Sequence, residues 1–386
     1  TFTSQGEAQK PKVIKVGGIF DTSGPTSDVG KDYAQGAIDA ARYINEHGGV
    51  HGIPVELLAN DYGYKIPEAV KTYKNLKDMH NVQIIQGWGT GDTEALSKTI
   101  NEDKIVYMSA SYSSHLNDPS KTPYNFFVGT SYSDAIRMAM KYVKETITEH
   151  FPEAKGRKPR VVFIYPDVGY GRAPIPAGKA FAQELGIDIG PDQNVALTAL
   201  DATSQLLSMK GFDPDWAWVG GTTMSTATIL KDAAKLGLRT KFIINNWGFD
   251  ENLPKLAGPA ADERAYGMVP FAFWGENVPG MKGIIEAHKK YHPNDTHTIR
   301  YVQAWTSMMV MWEALKRVKG DYTGPNIKAA LETLRNFDTG GLCAPITFTP
   351  DDHRPNVKEK IYKVSRGKLV FVKDVEIPRD KRFLGW

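Results

Sequence analysis

One stretch of this sequence indicates its fold class: Val82-Gln83-Ile84-Ile85-Gln86-Gly87-Trp88-Gly89-Thr90-Gly91-Asp92-Thr93. It begins as an apolar strand over Val82–Gln86, passes through a glycine-rich loop and enters a helix over Thr93–Asp103. A second apolar strand, Ile105–Ala110, follows and ends in Ser111-Tyr112-Ser113-Ser114. A strand, a helix and a strand in this order predict a parallel sheet covered by helices.

The same alternation extends on both sides of this stretch, and its elements are recognised by helical or strand periodicity. Before it, the sequence predicts strands over Val13–Phe20 and Val55–Ala59 and helices over Lys31–His47 and Pro67–Met79. After it come helices over Asp134–His150, Ala177–Leu185 and Ser225–Leu236, and strands over Val161–Tyr165, Trp216–Val219 and Phe242–Ile244.

The last part of the chain breaks the alternation, because two helical patterns, Gly280–Tyr291 and Tyr301–Val318, follow one another directly. The chain is therefore expected to return to its first half, add helices there and cross again. A further helix is predicted over Asn326–Leu334 and short strands over Pro345–Phe348, Ile361–Val364 and Leu369–Val372.

We therefore predict an α/β protein with two doubly wound lobes, each with a central parallel sheet. Three crossings, near Gly129–Ser131, Met268–Phe271 and Ala344–Thr349, are expected to form a hinge of three parallel strands. Lobe 1 would comprise residues 12–130 plus 269–345, lobe 2 would comprise residues 131–268 plus 346–386, and residues 1–11 would form a flexible N-terminal tail.

Composition and motifs exclude several classes of function. With 47 basic and 44 acidic residues among 386, the charge is too even for nucleic-acid binding. There is no phosphate-binding G-x-x-x-x-G-K-[ST] loop and no G-x-S-x-G nucleophile motif. The pairs His47/His51 and His288/His292 do not suit a metal, and the one cysteine, Cys343, is expected to be a buried structural thiol. The sequence thus predicts no catalytic residue, no metal and no cofactor.

Polar loops at the ends of the predicted strands are the candidate ligand site, because ligands bind at the carboxyl ends of parallel strands. Thr90, Gly91 and Asp92 follow one strand, and Ser111 and Ser113 follow the next. Their hydroxyls and the free N–H groups of a helix start favour a carboxylate. The alternative is that these residues only cap helices.

Aromatic residues at the strand ends, Trp88, Tyr112, Tyr170 and Trp247, could form the walls of an apolar pocket. In the second lobe they lie in loops that also carry Thr222 and Asn246. The alternative is that they belong to the core, which is the favoured interpretation for Trp88 taken alone.

The order and spacing of several short motifs along nearly the whole chain resemble one known family. These motifs are Ser23-Gly24-Pro25, Ile44-Asn45-Glu46-His47-Gly48-Gly49, Tyr170-Gly171, Gly220-Gly221 and Lys235-Leu236-Gly237-Leu238. The chain resembles the periplasmic leucine/isoleucine/valine-binding proteins, which have the type I periplasmic-binding-protein fold.

The resemblance implies a solute-binding protein of an ABC importer, located in the periplasm or outside the cell, with a lipid anchor at the N-terminus as one option. It implies a monomer whose partners are a small-molecule ligand and a membrane permease. By position, Thr90 and Ser113 would bind the ligand carboxylate through their hydroxyls and Ser111 through its backbone, while Tyr170 and Thr222 would approach from lobe 2.

Departures from the family pattern leave the ligand open. Asn246 stands where amino-acid binders are expected to have a glutamate for the ligand ammonium, Val29 replaces a tyrosine, and the usual cysteine pair of lobe 1 is absent. Either Asp92 or Asp250 compensates, with Trp247 or Tyr170 adding a cation–π contact, or the ligand has no amino group. The first case favours an apolar, branched-chain or similar amino acid, the second an aromatic or keto acid. A ligand-sensing regulator of the same fold is a further alternative.

Overall fold

The computed structural model describes residues 11–386 and shows a mixed α/β molecule built on two sheets, which confirms the predicted fold class. Of the predicted N-terminal tail, only Pro11 lies within the described residues. The first sheet and the helices between its strands are β1 (Ile14–Phe20), α1 (Ser27–Glu46), β2 (Val55–Asp61), α2 (Ile66–Asp78), β3 (Ile84–Gly87), α3 (Thr90–Asp103), β4 (Val106–Ser109) and β5 (Asn125–Phe126).

The second sheet begins after a long helix and takes its last two strands from the C-terminal part of the chain. Its first elements are α4 (Tyr132–His150), β6 (Arg160–Tyr165), α5 (Gly169–Arg172), α6 (Ile175–Glu184), β7 (Asp188–Ile189), β8 (Gln193–Asn194), α7 (Thr203–Lys210), β9 (Trp216–Val219), α8 (Thr223–Lys235), β10 (Lys241–Ile244), α9 (Leu253–Ala257) and β11 (Ala265–Val269). The remaining elements are α10 (Met281–Tyr291), α11 (Ile299–Arg317), α12 (Gly324–Leu331), β12 (Lys358–Ser365) and β13 (Lys368–Glu376).

Strand order places the carboxyl ends of the parallel strands at one edge of each sheet. The first sheet has the order β2-β1-β3-β4-β5, and all its pairs are parallel. The second has the order β13-β12-β11-β10-β9-β6-β7, with β8 beside β6, and is parallel except for β12 and β13, which run antiparallel to their neighbours. The loops that follow β3, β4, β9 and β10 therefore lie where a ligand can be reached.

Helices α10 and α11 return to the first sheet and lie against α1. Tyr301 of α11 donates a hydrogen bond of 2.8 Å from its hydroxyl to Asp39 of α1, and His297 lies 2.6 Å from Asp32. We call the first sheet with α1–α3 and α10–α12 lobe 1, and the second sheet with α4–α9 lobe 2. The boundaries at residues 130/131, 268/269 and 345/346 stay predictions.

The hinge corrects one part of the prediction, because its strands are not all parallel. Phe271 and Cys343 form an antiparallel bridge, and Ala272 donates its N–H to the Leu342 carbonyl at 2.8 Å. The reason is the direction of the chain: near residue 270 it runs from lobe 2 to lobe 1, and near residue 343 it runs back.

The prediction of a strand over Pro345–Phe348 is wrong, since Ile346 forms only an isolated bridge with Phe337. Pro345 has no N–H to give to a ladder, which explains the missing strand. Helix α7 and the strands β7, β8 and β11 were not predicted, because their apolar patterns are short or weakly periodic.

Gly36 offers a test of how closely lobe 1 is packed, because a Cβ atom there would lie 2.5 Å from the Tyr301 carbonyl oxygen. Gly36→Ala is expected to lower the free energy of unfolding by about 1–3 kcal/mol, since α1 and α11 must move apart. The measurement is the thermal unfolding midpoint. The matched control is Gly211→Ala, where a Cβ meets nothing within 4 Å and a neutral or slightly positive change is expected. Equal midpoints for both variants would contradict this packing.

Candidate functional site

The ends of β3 and β4 bring two hydroxyl groups together. Thr90 is the first residue of α3, and its Oγ1 lies 2.6 Å from Oγ of Ser111, which follows β4. Both residues are buried. The N–H groups of the first turn of α3 have no partner within the helix, so this corner of lobe 1 is suited to an anion.

Trp88 is held in place from lobe 1 and contacts lobe 2. Its Nε1 donates to Oγ1 of Thr26 at 2.8 Å, and that hydroxyl donates to Asp21 at 2.6 Å. The ring of Trp88 lies edge-on to the ring of Trp247, with 5.1 Å between centroids. Trp88, for which the sequence taken alone favoured a position in the core, therefore also forms part of the boundary between the lobes.

Lobe 2 contributes aromatic rings whose polar atoms are satisfied. The Tyr170 hydroxyl donates to the Gly221 carbonyl at 2.9 Å, and Trp247 Nε1 donates to the Tyr132 hydroxyl at 2.8 Å. Burial raises the pKa of Tyr132 and Tyr170 above the usual tyrosine range, so both hydroxyls stay protonated at neutral pH. These rings therefore bring apolar surface and no charge to this region.

A small cavity of about 30 Å³ lies between these groups and is lined from both lobes. Its lining residues, all of which the structure describes, are Thr26, Val29, Tyr64, Trp88, Gly89, Thr90, Ala110, Tyr132, Tyr170, Thr222 and Trp247. They are aromatic, aliphatic or hydroxyl-bearing, and none of them is charged. This volume is far below that of small-molecule pockets, which span about 300–1,000 Å³, so the lobes must move apart to admit a ligand.

The predicted site residues divide into those that line this cavity and those that lie beside it. The first group consists of Trp88, Thr90, Tyr170, Thr222 and Trp247. The second group, Gly91, Asp92, Ser111, Tyr112, Ser113 and Asn246, does not line it.

Three residues of the second group have clear structural positions. Tyr112 lies beside Trp247, with ring centroids 5.8 Å apart. Ser113 Oγ lies 3.0 Å from His115 Nδ1 and 3.4 Å from Glu94, so its hydroxyl is occupied outside the cavity. Asn246 is buried, and its Nδ2 has no hydrogen-bond partner among the described residues.

Neither acid that the sequence offered as an ammonium partner lines the cavity. Asp250 lies 3.3 Å from the Arg300 guanidinium and accepts the Thr223 hydroxyl at 2.7 Å. Asp92 accepts the Tyr62 hydroxyl at 2.7 Å inside lobe 1. Burial raises the pKa of Asp92 to about 7, because the ionised form has lost its water.

Six cavity residues were not among the site residues predicted from the sequence: Thr26, Val29, Tyr64, Gly89, Ala110 and Tyr132. Thr26 and Val29 follow β1, and Tyr64 follows β2, so the strand-end rule would have found them if it had been applied to the first two strands. Tyr132 begins α4 just after a crossing, and only the folded arrangement of the lobes brings it to the cavity.

Other chemical groups do not form sites in the part of the chain that is described. Residues 11–386 contain no cluster of three or more His, Cys, Asp or Glu side chains that could hold a metal ion. Burial raises the pKa of the Cys343 thiol to about 12, as expected for a structural cysteine. No helix within the same residues combines the length and the apolar character that crossing a bilayer requires.

Comparison with known proteins identifies the family. A family model described as "Periplasmic binding protein" matches residues 13–368. The chain belongs to this family. Periplasmic binding proteins of this kind are substrate-binding components of ABC transporters rather than enzymes.

Individual relatives cover nearly the full length of this binding protein. Leu/Ile/Val-binding protein homolog 7 of Brucella suis is 23% identical, and the match covers 95% of this chain and 93% of the relative. A crystal structure of an ABC transporter substrate-binding protein from Aeropyrum pernix is 32% identical with a TM-score of 0.88, covering 97% of this chain and 98% of that one. A branched-chain amino acid ABC transporter structure from Thermus thermophilus, with bound valine, is 23% identical with a TM-score of 0.88, covering 96% and 98%.

Asp92 predicts a pH dependence of stability. Because its pKa is raised in the folded protein, to about 7, the folded state binds the proton more tightly than the unfolded state, and stability is lost as pH rises from about 4 to 7. Asp92→Asn removes this loss. The free energy of unfolding of the variant, relative to that of the unchanged protein, should therefore increase by on the order of 1.4 kcal/mol for each unit that the pH rises in that window.

The measurement is the difference in unfolding free energy between the two proteins at pH 4.5 and pH 8. Tyr62→Phe is the matched variant, because it removes a hydrogen bond that favours the ionised carboxylate and should extend the same loss to higher pH. A difference that stays constant with pH would contradict the assignment.

Proposed function

We propose that this chain captures a small monocarboxylate with an apolar or aromatic body and delivers it to the membrane permease of an ABC importer outside the cytoplasm. The observation that carries this proposal is a cavity lined by Trp88 and Thr90 of lobe 1 and by Tyr170, Thr222 and Trp247 of lobe 2, without a charged side chain. A ligand enclosed in this way contacts both lobes, so binding and closure are one event.

Thr90 is the group best placed to receive the carboxylate. Its hydroxyl lies at the cavity surface, is paired with Ser111 and stands at the N-terminus of α3. A carboxylate there would be held by neutral hydrogen-bond donors and by the helix dipole. No catalytic base is required for this binding. Ser113 is less suitable than the sequence indicated, because its hydroxyl is occupied by His115 and Glu94.

The body of the ligand would contact rings. The ring of Trp88 lies edge-on to the ring of Trp247 across the lobe boundary. The ring of Tyr132 lies edge-on to the ring of Tyr170, with 5.3 Å between their centroids. The quadrupoles of such rings favour apolar and aromatic groups. The small volume favours a compact ligand over a long chain.

An ammonium group has no counter-charge in this cavity. Asp250 is paired with Arg300, Asp92 lies inside lobe 1, and Asn246 supplies an amide where a glutamate was expected. Burying an ammonium without an ionised partner costs several kcal/mol, on the order of the penalty for any unpaired buried charge. Asn246 lies outside the cavity lining, and its Nδ2 is a neutral donor that cannot offset an ammonium charge.

An apolar amino acid is the second candidate, and the valine in the Thermus thermophilus structure favours it. A matched pair of probes separates the two candidates, because leucine and 4-methylpentanoate differ only in the amino group. Phenylalanine and 3-phenylpropanoate provide the same comparison with an aromatic body.

Isothermal titration calorimetry with these four probes tests the proposal. We expect at least one acid without an amino group to bind with a dissociation constant in the micromolar range or below, and to bind more tightly than its amino-acid counterpart. Tighter binding of the amino acids would reject the ligand class, and no binding of any carboxylate would reject the function.

Thr90→Val and Ser111→Ala should each weaken binding of the acid about 10-fold to 100-fold, because a hydrogen bond to a charged group contributes roughly 1.5–3 kcal/mol. Ser97→Ala is the control, since Ser97 lies on the same helix and its hydroxyl donates to the Thr93 carbonyl. Unchanged affinity in both site variants would show that the carboxylate binds elsewhere.

A further inference from the structure

Arg300 joins the lobes through a buried ion pair outside the cavity. It lies in α11 of lobe 1, and its side chain is 1% exposed. Its Nη2 lies 3.3 Å from Asp250 in lobe 2 and donates to the Phe249 carbonyl at 3.2 Å. The Asp250 side chain is 2% exposed, so both charges are removed from water where the lobes meet.

The same guanidinium lies against Trp247, which lines the cavity. Its central carbon lies 5.1 Å from the centroid of the Trp247 ring, within the range of a cation–π interaction. Trp247 lines the cavity, and its indole nitrogen donates to the Tyr132 hydroxyl. Arg300 does not line the cavity, so its effect on a ligand would pass through Trp247.

Two carboxylates, one from each lobe, accept hydrogen bonds from backbone N–H groups at the start of a helix in the other lobe. Glu251 of lobe 2 accepts the N–H of Ile299, the first residue of α11, at 3.0 Å and the N–H of Trp274 at 2.9 Å. Asp28 of lobe 1 accepts the N–H of Met224 in the first turn of α8 at 3.0 Å. Both carboxylates are at the end of a helix dipole that attracts negative charge.

We propose that Arg300 is a positioning residue for ligand retention: its pairing with Asp250 holds the lobes together and sets the place of Trp247. When the lobes separate, both charges can be hydrated, so the pair is a property of the closed arrangement alone. The proposal rests on the proposed function for its ligand readout, but the pairing of the lobes can be measured without any ligand.

The physical argument predicts an asymmetry between removing one charge and removing both. Arg300→Met keeps the length of the side chain but leaves Asp250 in the interface without its partner, and an unpaired charge resists burial. Adding Asp250→Asn removes that charge, so the double variant should close more readily than Arg300→Met alone. Arg300→Lys keeps a charge but loses the planar group over Trp247, and an intermediate effect is expected.

The first test measures the distance between the lobes by pulsed electron paramagnetic resonance on ligand-free protein. Spin labels would be placed at Lys71→Cys in lobe 1 and Lys235→Cys in lobe 2, whose side chains are 80% and 76% exposed, in a Cys343→Ala background. We expect Arg300→Met to shift the distribution towards longer distances. The matched control is Arg264→Met, because Arg264 donates to the carbonyl groups of Leu238 and Thr240, both within lobe 2.

The second test measures dissociation of 4-methylpentanoate by stopped-flow tryptophan fluorescence. Arg300→Met should raise the dissociation rate at least 10-fold, with the association rate changed less than 3-fold. Arg264→Met should leave the dissociation rate unchanged.

The outcomes separate this proposal from the proposed function. If 4-methylpentanoate does not bind, the ligand class is wrong, and the distance measurement still decides the role of Arg300. If Arg300→Met and Arg300→Lys leave both the distance distribution and the dissociation rate as they were, Arg300 does not position the lobes. If the double variant is as open as Arg300→Met, the uncompensated charge is not the cause.

Discussion

The parallel order of the strands that precede the cavity loops in each sheet is the constraint on which the rest of this structure depends. It places the loops after β3 and β4 at one edge of lobe 1 and the loops after β9 and β10 at one edge of lobe 2. Because the chain crosses between the sheets near residues 130, 270 and 343, those two edges face each other. Thr90, Trp88, Thr222 and Trp247 thus meet although they lie far apart in the sequence.

The sequence was sufficient for the features that depend on local periodicity and on the strand-end rule. It predicted both lobes, the helices that return to lobe 1, and five of the residues that line the cavity. It could not predict Tyr132 as a cavity residue, because the position of that residue depends on how α4 leaves the hinge. It also could not show that Ser113 is held by His115, since the choice between a ligand and a neighbour is decided by side-chain direction.

Electrostatics inside the lobe boundary decide which ligand class the protein can take. The charged groups of this region are used between the lobes: Asp250 with Arg300, Glu251 with the start of α11, and Asp28 with the start of α8. What remains for the ligand is a set of neutral hydroxyls, an amide nearby and aromatic rings. A site of this kind favours a single carboxylate at the start of α3 and a body without an opposite charge.

The most direct test of this account is mass spectrometry of the small molecules that remain bound when the protein is purified without unfolding. The account predicts a compact monocarboxylic acid without an amino group, present in amounts comparable to the protein and lost from the Thr90→Val variant. Recovery of valine, leucine or another amino acid at the same occupancy would contradict it, because the cavity would then hold an ammonium group that none of its lining residues can neutralise.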